Sequence, residues 1–149
     1  MTRMLLAGTV LCLTACSASA PVLDSAAMQT RLAPVPANIP NGKCALLLSP
    51  REEGAAPVFF QVVGRRDAFI ALDKKQHKLS LKQAKGKLAN GVWTEQELLG
   101  HRLTVNINLR HADATNDGQH FRGVISLTKP GGWSNAIPIE GTTQCRSRN

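Results

Sequence analysis

Over His101 to Arg110 the chain alternates without a break. Leu103, Val105, Ile107 and Leu109 fall on one side, and Arg102, Thr104, Asn106, Asn108 and Arg110 on the other. Successive side chains of a strand point to opposite faces, so this is the pattern of a half-buried β-strand. Phe121 to Lys129 repeats it, with Phe121, Gly123, Ile125 and Leu127 on one face. Between the two, Ala112 to Gln119 carries Asn116-Asp117-Gly118, a strong turn signal, so the pair is expected to form a hairpin with a longish loop. Shorter strands are expected over Cys44 to Leu48, Val58 to Val63, Ala68 to Asp73, Lys78 to Lys82 and Ala136 to Glu140, each bounded by Gly, Pro or charged turns. Glu95 to Leu99 is the only helix-like piece among them. Short strands at such close spacing imply an all-β domain, a small antiparallel β-barrel or sandwich of about seven strands. A βαβ arrangement would need helical stretches between the strands. No internal repeat is visible.

The N-terminus has a different pattern. Arg3 supplies a positive n-region, Met4 to Leu13 a short apolar run, and small residues follow, as in a secretory signal. The run is too short to span a bilayer as a helix. Its end, Leu13-Thr14-Ala15-Cys16, resembles the bacterial lipobox. There a small residue precedes a cysteine that is acylated and becomes the new N-terminus. Ala15 is small enough for that cleavage, whereas Leu11 before Cys12 is not. The resemblance implies a signal peptide over residues 1–15, lipidation at Cys16 and loss of Cys12. Ser17, in place of an Asp, implies sorting to the outer membrane, facing the periplasm. The competing reading is an ordinary signal peptide cut near Ala18 or Ala20, with Cys16 discarded.

Once Cys12 is lost and Cys16 is committed to lipid, Cys44 and Cys145 remain. They form an even pair in an oxidising compartment, where disulfides persist. They are expected to bond and to join the first strand to the last. Closing a loop of about 100 residues is worth on the order of 4 kcal/mol in the entropic view, and often less in practice. With no C-x-x-C and no nearby His pair, a redox or metal role has little support. Residues 16–42, with Ser17, Ser19, Ala20, Pro21, Pro34, Pro36 and Pro40, read as a Ser/Ala/Pro-rich tether, with a helical turn or two over Asp24 to Leu32. Residues 43–149 are the β domain. After loss of the signal about 134 residues remain, enough for one domain with a real core. Four Phe, two Trp and no Tyr leave that core to Leu, Ile and Val.

Charge adds a candidate surface. The chain has 18 Lys and Arg against 10 acids; the signal removes only Arg3, which leaves a net +7. The excess concentrates in Lys74, Lys75, Lys78, Lys82, Lys85 and Lys87, offset only by Asp73. A strand with Leu79 and Leu81 facing inward would set Lys78 and Lys82 on its wet face, with the other four lysines in flanking turns. Such a stripe is either an edge strand guarded by lysines or a binding face for anionic envelope polymer, lipid headgroups or an acidic protein. Nucleic acid is disfavoured, since the run lacks interleaved aromatics and the protein is exported.

Catalytic patterns are weak, and no enzyme activity is expected. His77, His101, His111 and His120 are isolated on strands or at strand ends, and there is no H-E-x-x-H. Gly131-Gly132-Trp133-Ser134 lacks the strand-turn-helix context of a nucleophile elbow and reads as a turn that packs Trp133 on the barrel end. Asp113-x-Thr115-x-Asp117-Gly118 matches the first half of an EF-hand loop. Its twelfth position is Val124 rather than the bidentate Glu, and a strand follows. Glu95 and Glu97 alternate on a surface segment, without the convergence a glycosidase pair needs. Neither metal nor cofactor is expected. Two function classes remain. One is a lipid-anchored, non-catalytic binding or assembly accessory for an anionic polymer or an acidic protein. The other is a small β-fold inhibitor of a cell-wall hydrolase. In size, signal, disulfide and β content the chain resembles the lipoprotein lysozyme inhibitors, but the resemblance does not reach their motifs and no residue carries over. A basic inhibitor would also meet like-charge repulsion from lysozymes, which are usually basic.

Overall fold

The alternation of inward apolar and outward polar residues closes on itself. In the computed structural model, which describes residues 24–115 and 118–148 and side chains except those of 111–118, eight antiparallel strands form a barrel in sequence order. They are β1 (Cys44–Pro50), β2 (Phe59–Val62), β3 (Asp67–Leu72), β4 (Lys75–Ala89), β5 (Val92–Gly100), β6 (Leu103–Thr115), β7 (Gly118–Thr128) and β8 (Ser134–Cys145), after one short helix, α1 (Ser25–Gln29). β1 pairs with β8 to close the sheet. The signal sequence, Cys12, Cys16, Asn116 and Asp117 lie outside the described residues.

The expected seven strands are therefore eight, because Glu95 to Leu99 is strand rather than helix. Its Glu and Leu residues favour a helix locally, but β4 pairs on one side and β6 on the other, and tertiary pairing outweighs that weak preference. Val92, Gln96 and Leu98 turn inward and are buried, while Trp93, Glu95 and Leu99 turn outward. Gln96 breaks the apolar alternation, which hid the strand. The turn before it is Asn90-Gly91, with φ of 47° and 80°, the paired left-handed conformation of a two-residue hairpin.

A barrel of eight strands is just wide enough for its own side chains to fill. Leu46, Leu48, Phe59, Ile70, Leu79, Leu98, Val105, Phe121, Ile125, Leu127, Ile137 and Ile139 do so, all essentially inaccessible. At one end Met28 of α1, fully buried, plugs the barrel with Leu32 and Trp133. At the other, the β4–β5 hairpin folds over the mouth, so that Ala89, Val92 and Val63 join the core.

The described part of the expected tether, residues 24–42, is not a free linker. Residues 33–39 run along the outside of β1–β3, where Val35 and Ile39 cover Ala45, Leu47, Phe60 and Phe69. That is why β1 reads as a continuous apolar run: both of its faces are covered. Burial of five apolar side chains in this second cluster, with four more partly buried against it, holds the segment down.

The cap is latched by charge. Arg31 donates two hydrogen bonds to Asp73, at 2.7 and 2.6 Å, and lies over the Trp133 ring at 4.8 Å. The hydrogen bonds from Arg31 hold the Asp73 carboxyl below the usual carboxylate range; burial opposes this in part, and the charges of Arg31, Lys129 and His77 add to the lowering. A depressed carboxyl stabilises the fold above its ordinary pKa and loses that contribution as pH falls through its folded value. With both side chains partly exposed the effect is small. In a Trp93→Phe background, acidification below about pH 4 should shift Trp133 fluorescence as the latch loosens. Asp73→Asn should show the loosened spectrum at neutral pH and little further change. An acid shift of equal size in the Asp73→Asn protein would assign it to other carboxylates.

Candidate functional site

Ion pairs and strand register divide the lysines of residues 74–87. Lys78 pairs with Asp67 at 3.2 Å and Lys82 with Glu97 at 2.8 Å. Lys85 stands opposite Glu95. Lys74 sits in the β3–β4 turn, but Lys75, Lys85 and Lys87 lie within β4 and not in flanking turns. At about 3.3 Å per residue the run extends some 40 Å, several Debye lengths at physiological salt, so its two ends do not act as one patch. Edge protection applies to half of it. Lys75 to Ser80 are paired with β3, whereas from Lys82 onward β4 has a strand partner on one side only.

A second cationic group stands elsewhere. The last pair between β5 and β6 is Glu95 with Asn108. Beyond it the β4–β5 and β6–β7 hairpins part, and an open cleft of about 720 Å³ lies on the outer face of β4–β7. One wall carries Arg110 and Arg122, direct cross-strand partners on β6 and β7, with Arg51 reaching in from the end of β1. The other carries Glu95, Glu97, Gln83 and Lys85, and Asn106, Asn108 and Ser126 line the space between. Like charges directly opposite each other on neighbouring strands are unfavourable. None of the three arginines has an ion pair among the described residues. Arg122 stands between Arg110 on β6 and Glu140 on β8 in the ladder, so Arg110 and Arg51 carry the least compensated charge.

Gly123 makes the floor possible. It faces Leu109 across the ladder, and a Cβ at this position would fall on the Asn108 carbonyl oxygen, with Leu109 Cα at 3.0 Å. The two backbones approach more closely there than any side chain allows. Behind the cleft, Gln96 turns into the barrel. It is buried, its Nε2 donates to the Trp93 carbonyl at 3.2 Å, and its Oε1 accepts no hydrogen bond.

Cys44 and Cys145 are bonded and lie directly opposite each other in the β1–β8 ladder. Trp133 packs on the barrel end as the turn reading expects, and Ser134 hydrogen-bonds Thr128 at 3.2 Å. His101 is exposed, His77 and His120 are half-buried on separate strands, and the side chains of residues 111–118 lie outside the described residues; the expected longish loop is shorter, since β6 runs to Thr115 and β7 starts at Gly118. Glu95 and Glu97 share one outer face of β5 and so do not converge across a cleft. Arg51, Arg110 and Arg122 were not singled out from sequence. The usable signal was the hairpin turn at Asn116-Asp117, which places Arg110 and Arg122 opposite each other to within a residue.

No family model, no curated protein and no solved structure matches this chain.

Proposed function

We propose that this protein is a lipid-anchored, non-catalytic binding or assembly accessory of the bacterial outer membrane, facing the periplasm and joined to it through Cys16, whose partner is an anionic polymer or an acidic protein. The observation that carries the reading is the placement of uncompensated positive charge. The barrel interior is filled by its own side chains, so recognition falls to the outside. There Arg51, Arg110 and Arg122 line one wall of an open cleft, and none of them makes an ion pair among the described residues, with Glu140 opposite Arg122 in the ladder. The lysines of residues 74–87 add a diffuse attraction that steers an anionic partner but does not define a pocket.

Inhibition of a cell-wall hydrolase is the second reading. It ranks lower because the same outward cations repel a basic enzyme.

Cys16→Ser should release the protein into the soluble periplasm or leave the unprocessed precursor, and mass spectrometry of the wild type should find an acylated N-terminal Cys16. An unacylated mature N-terminus at Pro21 would contradict the anchor. For binding, the processed full-length protein in detergent, immobilised and exposed to an envelope extract, should retain anionic material at low salt and release it progressively as salt is raised toward about 1 M, where the screening length falls to about 3 Å. Retention indifferent to salt would point to an apolar interface instead.

A further inference from the structure

We infer that the outer cleft binds a carboxylated glycan, a sugar chain bearing both free hydroxyls and carboxylates; this rests on the anionic-partner reading and narrows it. The two walls ask for different groups. Arg110 and Arg122 are planar donors held side by side by the β6–β7 register; Glu140 flanks Arg122 on β8, Arg110 has no acid beside it in the ladder, and a carboxylate seated over the pair relieves their repulsion through paired charge-assisted hydrogen bonds. The opposite wall is rich in acceptors. The Glu95 carboxylate is exposed there, beside Glu97 and Gln83. Carboxylates accept and do not donate, so this side favours a ligand that donates and disfavours a bare anion. Polyphosphate offers acceptors almost alone. A sugar acid offers both, hydroxyls to one wall and carboxylate to the other.

The shape agrees. About 720 Å³ lies within the usual range for small-molecule sites and accommodates a short stretch of chain. A protein partner would need an apolar anchor at its centre, and the cleft offers only the exposed Val124, with no aromatic residue in its lining.

The test uses the processed full-length protein in detergent, titrated at low salt with four polymers: polygalacturonate, neutral dextran, polyglutamate and polyphosphate. Polygalacturonate should bind, dextran should not, and polyglutamate and polyphosphate should bind at least tenfold more weakly than polygalacturonate. Arg110→Gln/Arg122→Gln should weaken polygalacturonate binding about tenfold or more with an unchanged melting temperature, because it removes a repulsive exposed pair. Lys78→Gln/Lys82→Gln, whose charges are already paired, should change it less than twofold. Equal binding of polyglutamate or polyphosphate would overturn the glycan assignment and leave the anionic-partner reading standing. Unchanged binding by the double arginine variant would remove the cleft as the site. Binding of none of the polymers would sink both readings.

Discussion

Breaking the Cys44–Cys145 bond should lower the melting temperature by about 15 °C. The bond spans 101 residues and ties together the two strands that close the barrel. Without it, the unfolded chain recovers the freedom of a loop of that length, about 4–5 kcal/mol in the chain-entropy view. For a domain of this size that free energy corresponds to the stated shift. Folding is affected as well. β1 and β8 are the paired strands farthest apart in sequence, so their ladder is the entropically slowest contact to form. Cys44→Ser/Cys145→Ser should therefore both melt earlier and refold more slowly than the oxidised protein, as read by circular dichroism and stopped-flow fluorescence. A melting temperature within about 2 °C of wild type would mean that the barrel closes without help.

Gly123→Ala should cost about 3 kcal/mol, a large penalty for one methyl group. Its Cβ would meet the Asn108 carbonyl and the Leu109 backbone, neither of which can rotate away as a side-chain end would. Relief requires β6 and β7 to separate at their middle, which strains the Asn108–Val124 and Leu109–Gly123 pairs of the ladder. The same shift would move Arg110 relative to Arg122, so residual binding should fall together with stability. Gly132→Ala is the control, since that residue has no left-handed φ and the added carbon would meet only ordinary contacts with Lys129; it should cost far less and leave binding intact. Equal stability losses for the two would mean that close backbone approach at Gly123 is not what limits the site.

How far the chain could be read from its residues follows from the range of the forces involved. β6 and β7 alternate cleanly because one face is core and the other water, and such strands declare themselves locally. β5 was missed because Gln96 occupies an inward position and Glu95 to Leu99 favours a helix on its own. Asn90-Gly91 just before it was the available hairpin signal. The segment 33–39 resembled a tether because its prolines exclude regular structure. They do not exclude burial: Val35 and Ile39 need only a flat apolar face to lie on, which Ala45, Leu47 and Phe60 supply. The lysine run was conspicuous because charges clustered in sequence are easy to see. Its compensation by Asp67 and Glu97, 11 and 15 positions away, needs the strand register. The cleft depends on two hairpins parting after the Glu95–Asn108 pair, a property of the assembled sheet. The arginines that line it come from β1, β6 and β7, and no sequence window contains all three.

The most direct measurement of where this protein recognises its partner is a backbone amide NMR titration with polygalacturonate at low salt. Recognition through the cleft predicts shift changes concentrated at Arg51, Glu95 to Glu97, Asn106 to Arg110 and Arg122 to Ser126, fading together as salt is raised. Changes centred on Lys74 to Lys78 with the cleft amides unmoved would place recognition on the lysine run and contradict the account.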